Sequence, residues 1–309
     1  MLPALLATLL FSLSVVFANR STRILGGTTA NFYRLCLATA LLAAWAHGWG
    51  RGLGGGAFGW FFLSGCIGFG LGDSALYQAL PRLGPQLTAL MMQCLAAPFA
   101  VVAEWLWLGT TLSLPQIAAG LVILFGVAIA VAPRDHAHIP RHLLAGGLAF
   151  GVVAALGQGL GAVVSRKAYA VVEQSGQSLD GLTAAYQRIL GGVVFAMPFT
   201  LWVHFRRQRR SSATRETGSS AAMIVAPSRW HTGWGWVVLN SLAGPTLGVG
   251  CYQWALATEP SGIVLPIVAT LPIAVIPFAY FLEGERPTAR SLAGGLLAVL
   301  GAVALALIH

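Results

Sequence analysis

Residues 77 to 130 read YQALPRLGPQLTALMMQCLAAPFAVVAEWLWLGTTLSLPQIAAGLVILFGVAIA, and residues 252 to 305 read YQWALATEPSGIVLPIVATLPIAVIPFAYFLEGERPTARSLAGGLLAVLGAVAL. The second stretch repeats the first at a constant offset of 175. Tyr77-Gln78 returns as Tyr252-Gln253, Pro85 as Pro260, Gly109 as Gly284, Gly120 as Gly295 and Gly126 as Gly301. The order of features is shared as well: Tyr-Gln, a break with Pro, a long apolar run, a turn with Gly, then a Gly-punctuated apolar run. A repeat of this kind decides the architecture, so it is read first.

Working outward, the chain has 309 residues, 57% of them hydrophobic and 9% charged. A soluble domain carries roughly 25% charged residues. Apolar surface on this scale requires lipid as the main solvent. A bilayer span needs about 20 apolar residues, and ten runs qualify: 2–18, 28–47, 57–79, 86–108, 115–132, 143–165, 181–203, 233–256, 261–282 and 291–308. Backbone groups must be paired within each segment in lipid, which makes these runs helices. The short alternating strands of a membrane barrel are absent.

Met1 to Ala18 resembles a signal peptide in length, but no basic residues precede its apolar run, so a retained first helix is expected. Cys36, Cys66, Cys94 and Cys251 lie inside apolar runs without a CxxC pair, and they read as small buried hydrophobes rather than a disulfide or zinc set. The net charge is +9, almost all of it arginine. Thirteen basic residues fall in the loops after helices 1, 3, 5, 7 and 9, against Arg51, Arg166 and Lys167 in the others. That asymmetry places the first set in the cytoplasm and both termini outside.

Helix 1 is expected to stop at Asn19-Arg20, and helix 6 to close at Arg166-Lys167. Pro81 to Pro85 makes a tight reversal between helices 3 and 4. The polar segment 133–142 bisects the chain into residues 1–132 and 143–309, each with five helices. Residues 205–232 form a basic, Ser- and Thr-rich loop expected to be disordered. Five is odd, so the second half enters the membrane from the opposite side and the repeats are inverted. Inverted repeats mark secondary transporters, whose substrate site lies near the midplane at helices interrupted by Gly or Pro. Helices 3 and 8, with Gly65, Gly68, Gly70, Gly72 and Gly244-Pro245, Gly248, Gly250, fit that description in both halves.

Two five-helix halves, each closing in a Gly-containing turn and a Gly-x5-Gly helix, resemble the EamA-type drug/metabolite transporters. The best match is Gly284-Glu285-Arg286-Pro287-Thr288 followed by Gly295 and Gly301. The first half keeps Leu108-Gly109 but has Thr110 where the family usually has Glu. The resemblance spans the whole chain. It implies ten transmembrane helices, a central cavity and movement of small metabolites, and it favours an N-terminus inside, against the arginine count.

An ionisable group within a span costs at least ~2.5–3.5 kcal/mol at the bilayer centre, so such groups are functional candidates. Asp73 lies deep in helix 3 with Tyr77 one turn on, on the same face. It either binds a cationic group or coupling ion, or pairs with an arginine and locks two helices. Arg34 and Arg188 occupy corresponding helices of the two halves. Each either binds an anionic substrate group or snorkels to the interface, with snorkelling favoured for Arg34. Gln78 and Gln253 either face the cavity or bond neighbouring helices. The expected substrate-binding set is Asp73, Tyr77, Gln78, Arg188, Tyr252, Gln253 and Arg34, the first six lining one polar cavity. Glu104, beside Trp105 and Trp107, reads as interfacial. His136, His138 and His142 match no zinc spacing, and Gly70-x-Gly72-x-x-Ala75 follows no strand and is not a dinucleotide site.

The function expected is a secondary carrier in the cytoplasmic (inner) membrane, moving a small metabolite such as an amino acid, with no covalent step. A membrane-embedded enzyme acting on a lipid or headgroup, and a non-transporting scaffold, are the other readings. The expected partners are a small-molecule substrate, with or without a coupling proton or ion, and the lipid bilayer. No cofactor, metal or nucleic acid is expected, and the chain would act as a monomer or homodimer.

Overall fold

The structure is a computed structural model that describes residues 2–108, 113–131, 140–216, 227–258, 267–268, 270–284 and 286–308. Every regular element among the described residues is helical. Helices α1 (Leu2–Leu25) and α2 (Gly27–Gly48) meet at Gly26, whose φ of 84° lets one residue turn the chain. Next, α3 (Phe58–Gly65) passes through a seven-residue π-helical turn, Cys66–Gly72, into α4 (Asp73–Leu108). After α5 (Leu114–Val131) come α6 (Arg141–Gln174) and α7 (Gly181–Glu216). Then α8 (Pro227–Ser241) passes through a second seven-residue π turn, Leu242–Gly248, into α9 (Val249–Thr258). Two further helices are α10 (Leu271–Glu283) and α11 (Ala289–Leu307).

The apolar run Phe58–Trp107 covers 50 residues, but it is a hairpin. Gly84 breaks it with φ 79° and ψ 169°. Both arms pass along α6. A Cβ built on Gly161 would lie 3.1 Å from Gly68, and one on Gly159 only 2.6 Å from Ala96. Gly147, near the start of α6, would meet Leu83 at 2.7 Å. Residues on either side of Gly84 therefore reach the same level of α6, so the chain doubles back at that glycine. The reversal expected over Pro81–Pro85 is concentrated in this one residue.

Helices α5 and α11 pack antiparallel and close. Gly126 would place a Cβ 2.5 Å from the backbone of Ala298, and Gly301 one 3.0 Å from that of Ile123. Small residues allow such contact, which drives helix association where lipid removes the hydrophobic force. Leu83, Leu90, Met91, Ile123 and Val299 fill the space between these helices, α4 and α6.

The distribution of side chains is that of a protein dissolved in lipid. Large apolar residues lie outside, Phe281 with 81% of its surface exposed, while Asn19, Gln187, Asn240 and Gln253 are buried. Several boundaries differ from expectation. α1 continues past Arg20 to Leu25, because Glu283 on α10 accepts from Asn19 Nδ2 at 3.0 Å and Arg20 Nε at 2.8 Å. α6 runs past Arg166-Lys167 to Gln174. The basic stretch expected to be disordered is helical as far as Glu216, and α8 starts at Pro227; Arg, Gln and Ala are good helix formers. Gly109, Thr110, residues 132–139 with His136 and His138, Pro260, Glu285 and the side chain of Glu104 lie outside the described residues.

Candidate functional site

Two buried clusters of polar side chains sit at corresponding places along α2 and α7. In the first, α2 carries Asn31 and Arg34 on one face, three residues apart. The π turn delivers Asp73 at the first position of α4, with Tyr77 one helical turn on. Arg34 is 5% exposed and Asp73 8%. The guanidinium Nη2 donates to the Asp73 carboxylate and, at 3.2 Å, to Asn31 Oδ1. Its Cζ lies 4.9 Å from the centre of the Tyr77 ring. The Tyr77 hydroxyl accepts from Asn240 Nδ2, and Asn240 Oδ1 accepts from Ser14 Oγ at 2.7 Å. Ser241 Oγ donates to the Arg34 carbonyl at 3.2 Å. One positive and one negative charge cancel here, and α1, α2, α4 and α8 are tied together. Buried ions persist when paired in this way.

The second cluster is built differently. Arg188 on α7 is 7% exposed, with its Cζ 5.4 Å over the ring of Phe69 in the first π turn. Among the described residues it has no ion pair, and its Nε has no hydrogen-bond partner. The titratable groups its charge meets are Tyr252, Tyr169 and Asp73, and Asp73 is already bonded to Arg34. Tyr169 on α6 donates to Gln253 Oε1 at 2.5 Å. Gln253 Nε2 has no partner among the described residues, and neither has Ser165 Oγ, one turn before Tyr169. The cluster thus holds a buried positive charge and donors in surplus.

Of the expected set, the structure brings Arg34, Asp73 and Tyr77 together in the first cluster, and Arg188, Tyr252 and Gln253 in the second. Gln78 stands apart: its Nε2 donates to Thr28 at 3.3 Å and its side-chain oxygen accepts from Arg82 at 3.4 Å, toward the Gly84 turn. Arg34 does not snorkel; the carboxylate of Asp73 turns it inward. Asn240, Ser14, Asn31, Ser165 and Tyr169 were missed. An amide inside an apolar run is itself a signal in lipid, which would have found Asn240. Tyr169 was hidden because the basic pair Arg166-Lys167 read as the end of its helix.

The two π turns are 176 residues apart, where the sequence repeat is offset by 175. Counted from the end of each π turn, Tyr77 therefore shares its place with Gln253, and Asp73 with Val249. π turns are rare and lie frequently at functional sites. Outside the spans, Asp180 caps α7: its carboxylate accepts from Thr183 N at 2.9 Å, from the Thr183 hydroxyl and from Trp45 Nε1 at 3.2 Å. Partial burial works against the charge, but these hydrogen bonds prevail and hold the carboxyl below the usual range.

Apolar helices around a buried polar interior define a multi-pass membrane protein. Comparison with known proteins gives the class a family: the chain belongs to the EamA-like transporter family, whose sequence model matches residues 1–132 and 145–307. It is a family of membrane carriers without enzymatic activity. Among solved structures, a crystal structure of a protein described in no further terms has the same fold, with a TM-score of 0.56 and 16% identity over 98% of this chain and 94% of that one. No curated protein matches the chain.

Proposed function

We propose that the chain is a secondary carrier that moves a small organic solute, an amino acid or a related metabolite, across the cytoplasmic membrane by alternating access. Its working parts are two inverted five-helix repeats, residues 1–132 and 143–309. The α5–α11 contacts support the inversion. At the 175 offset, Gly126 corresponds to Gly301 and Ile123 to Ala298, so Gly126 against Ala298 and Ile123 against Gly301 are one contact seen from each half. Antiparallel helices exchange only about an axis perpendicular to both, which for spanning helices lies in the membrane plane. Under the arginine asymmetry, Phe205–Arg229 faces the cytoplasm and both termini face out.

The observation that carries the reading is the second cluster, a buried guanidinium and amide with unmet hydrogen-bonding capacity inside an apolar shell. Arg188, Tyr252 and Gln253 hold the solute. Asp73 with Tyr77 and Arg34 closes the path beside it. The test is counterflow. Liposomes bearing the full-length chain and loaded with the twenty unlabelled amino acids should transiently accumulate at least one labelled amino acid above protein-free liposomes. Monodisperse, folded protein that accumulates none would overturn this substrate class.

A further inference from the structure

Each half of the chain sets one arginine in the middle of the bundle, and only one of the two arginines has a carboxylate. In the first half the residue that follows the π turn is Asp73, and it bonds Arg34. In the second half the residue that follows the π turn is Val249, buried and apolar. Arg188 is thereby left without a carboxylate partner among the described residues; the Nε of both arginines is unbonded there, so the difference between them is the counter-ion. A lone buried charge is expensive in a membrane, and a chain that keeps one marks a binding or conducting position. The groups beside it point the same way. Gln253 Nε2 and Ser165 Oγ are buried donors without partners among the described residues, and the Tyr169 hydroxyl already donates its hydrogen bond to Gln253 Oε1. What the cluster lacks is an acceptor that carries negative charge.

From this asymmetry we propose that the Arg188 cluster is a built site for a carboxylate of the transported solute, held by Arg188 with Gln253 and Ser165. The proposal rests on the carrier reading for the ligand's being a transported solute. The first half shows what a filled cluster looks like: guanidinium, carboxylate and an aromatic ring beside them. In the second half the ligand supplies the carboxylate that Val249 cannot, and Phe69 gives the guanidinium its aromatic face. Charge balance sets the class. One guanidinium neutralises one negative charge, which suits a monocarboxylate. A phosphate group carries about −1.5 to −2 at neutral pH and would leave charge unmatched in the bundle.

The experiment uses the full-length protein in detergent and three probes at constant ionic strength: acetate, its neutral isostere acetamide, and inorganic phosphate. A ligand that binds the folded state raises the melting temperature with concentration. Acetate should stabilise the protein saturably, and acetamide should not. Arg188→Gln should raise the half-saturating acetate concentration about tenfold or more, since it removes a charge-assisted contact. Ser165→Ala, a change that leaves the charge in place, should raise it about threefold. Arg188→Lys should recover part of the loss. Equal effects of acetate and acetamide, undiminished acetate binding in Arg188→Gln, or phosphate saturating below acetate would each overturn the assignment. Acetate binding of the expected kind in a protein that gives no counterflow would uphold the site and remove the carrier reading. Counterflow by a protein indifferent to acetate would uphold the carrier and remove the site.

Discussion

The Arg34 and Arg188 clusters are the same construction finished in two ways. Both arginines lie two turns inside a helix, both are buried, and both face a π turn that opens the helix beside them. Around Arg34 the counter-ion lies within the chain, at Asp73, and Asn31, Tyr77 and Asn240 accept further bonds of the cluster, while Arg34 Nε, like Arg188 Nε, has no partner among the described residues. Around Arg188 the carboxylate is replaced by Val249. On the reading proposed above, the repeat is divided between two tasks, a self-contained lock in one half and an open seat in the other. A duplicated framework makes this division visible, because each half states what the other lacks.

The largest effect should come from opening the lock. Asp73→Asn removes the partner of Arg34 and strands a buried guanidinium, at a cost of about 3–5 kcal/mol. A melting curve in detergent should show a large loss, and the same variant should bind acetate at Arg34, since a second open seat has been made. Retained stability without acetate binding there would erase the distinction between the halves. A smaller loss is expected for Asn240→Ala, which leaves the Tyr77 hydroxyl and Ser14 without their shared partner, at about 1–3 kcal/mol. Because Asn240 serves only the first cluster, the half-saturating acetate concentration at Arg188 should not change.

The smallest effect lies outside the membrane, at the cap of α7. Asp180→Ala should cost about 1 kcal/mol at neutral pH, the usual value of a helix N-cap. The Asp180 carboxyl is held below its ordinary range in the folded state. Its contribution is therefore present above that range and is lost as the pH falls through the folded value. Melting curves of wild type and variant should converge on acidification. A gap that widens in acid would mean that Asp180 is not bonded as an anion, and that α7 is started by something else.

The all-helical membrane fold was legible because lipid leaves few choices: apolar runs of spanning length must be helices. Boundaries set by tertiary contacts were not. Arg20 reads as a stop until Glu283 is placed beside it, and Arg166-Lys167 reads as a helix end until Tyr169 is seen bonded to Gln253. Arg34, Asp73, Tyr77, Arg188, Tyr252 and Gln253 were visible as polar groups in apolar runs. Their pairing was not, because the repeat by identity aligns Tyr77 with Tyr252 whereas the π turns align it with Gln253. A single residue of slip in a helix turns a side chain by about 100°, enough to change which neighbour it meets. Sequence identity alone could not tell that Asp73 belongs to Arg34 and that Arg188 has no carboxylate partner among the described residues.

The most direct test of that claim compares two matched substitutions, Arg34→Gln and Arg188→Gln, by melting temperature in detergent without added carboxylate. Arg34→Gln leaves the Asp73 carboxylate buried without its counter-ion, so the melting temperature should fall steeply. Arg188→Gln removes a charge that no carboxylate pairs among the described residues, so the melting temperature should hold or rise. Equal losses for the two variants, or a larger loss for Arg188→Gln, would contradict the account.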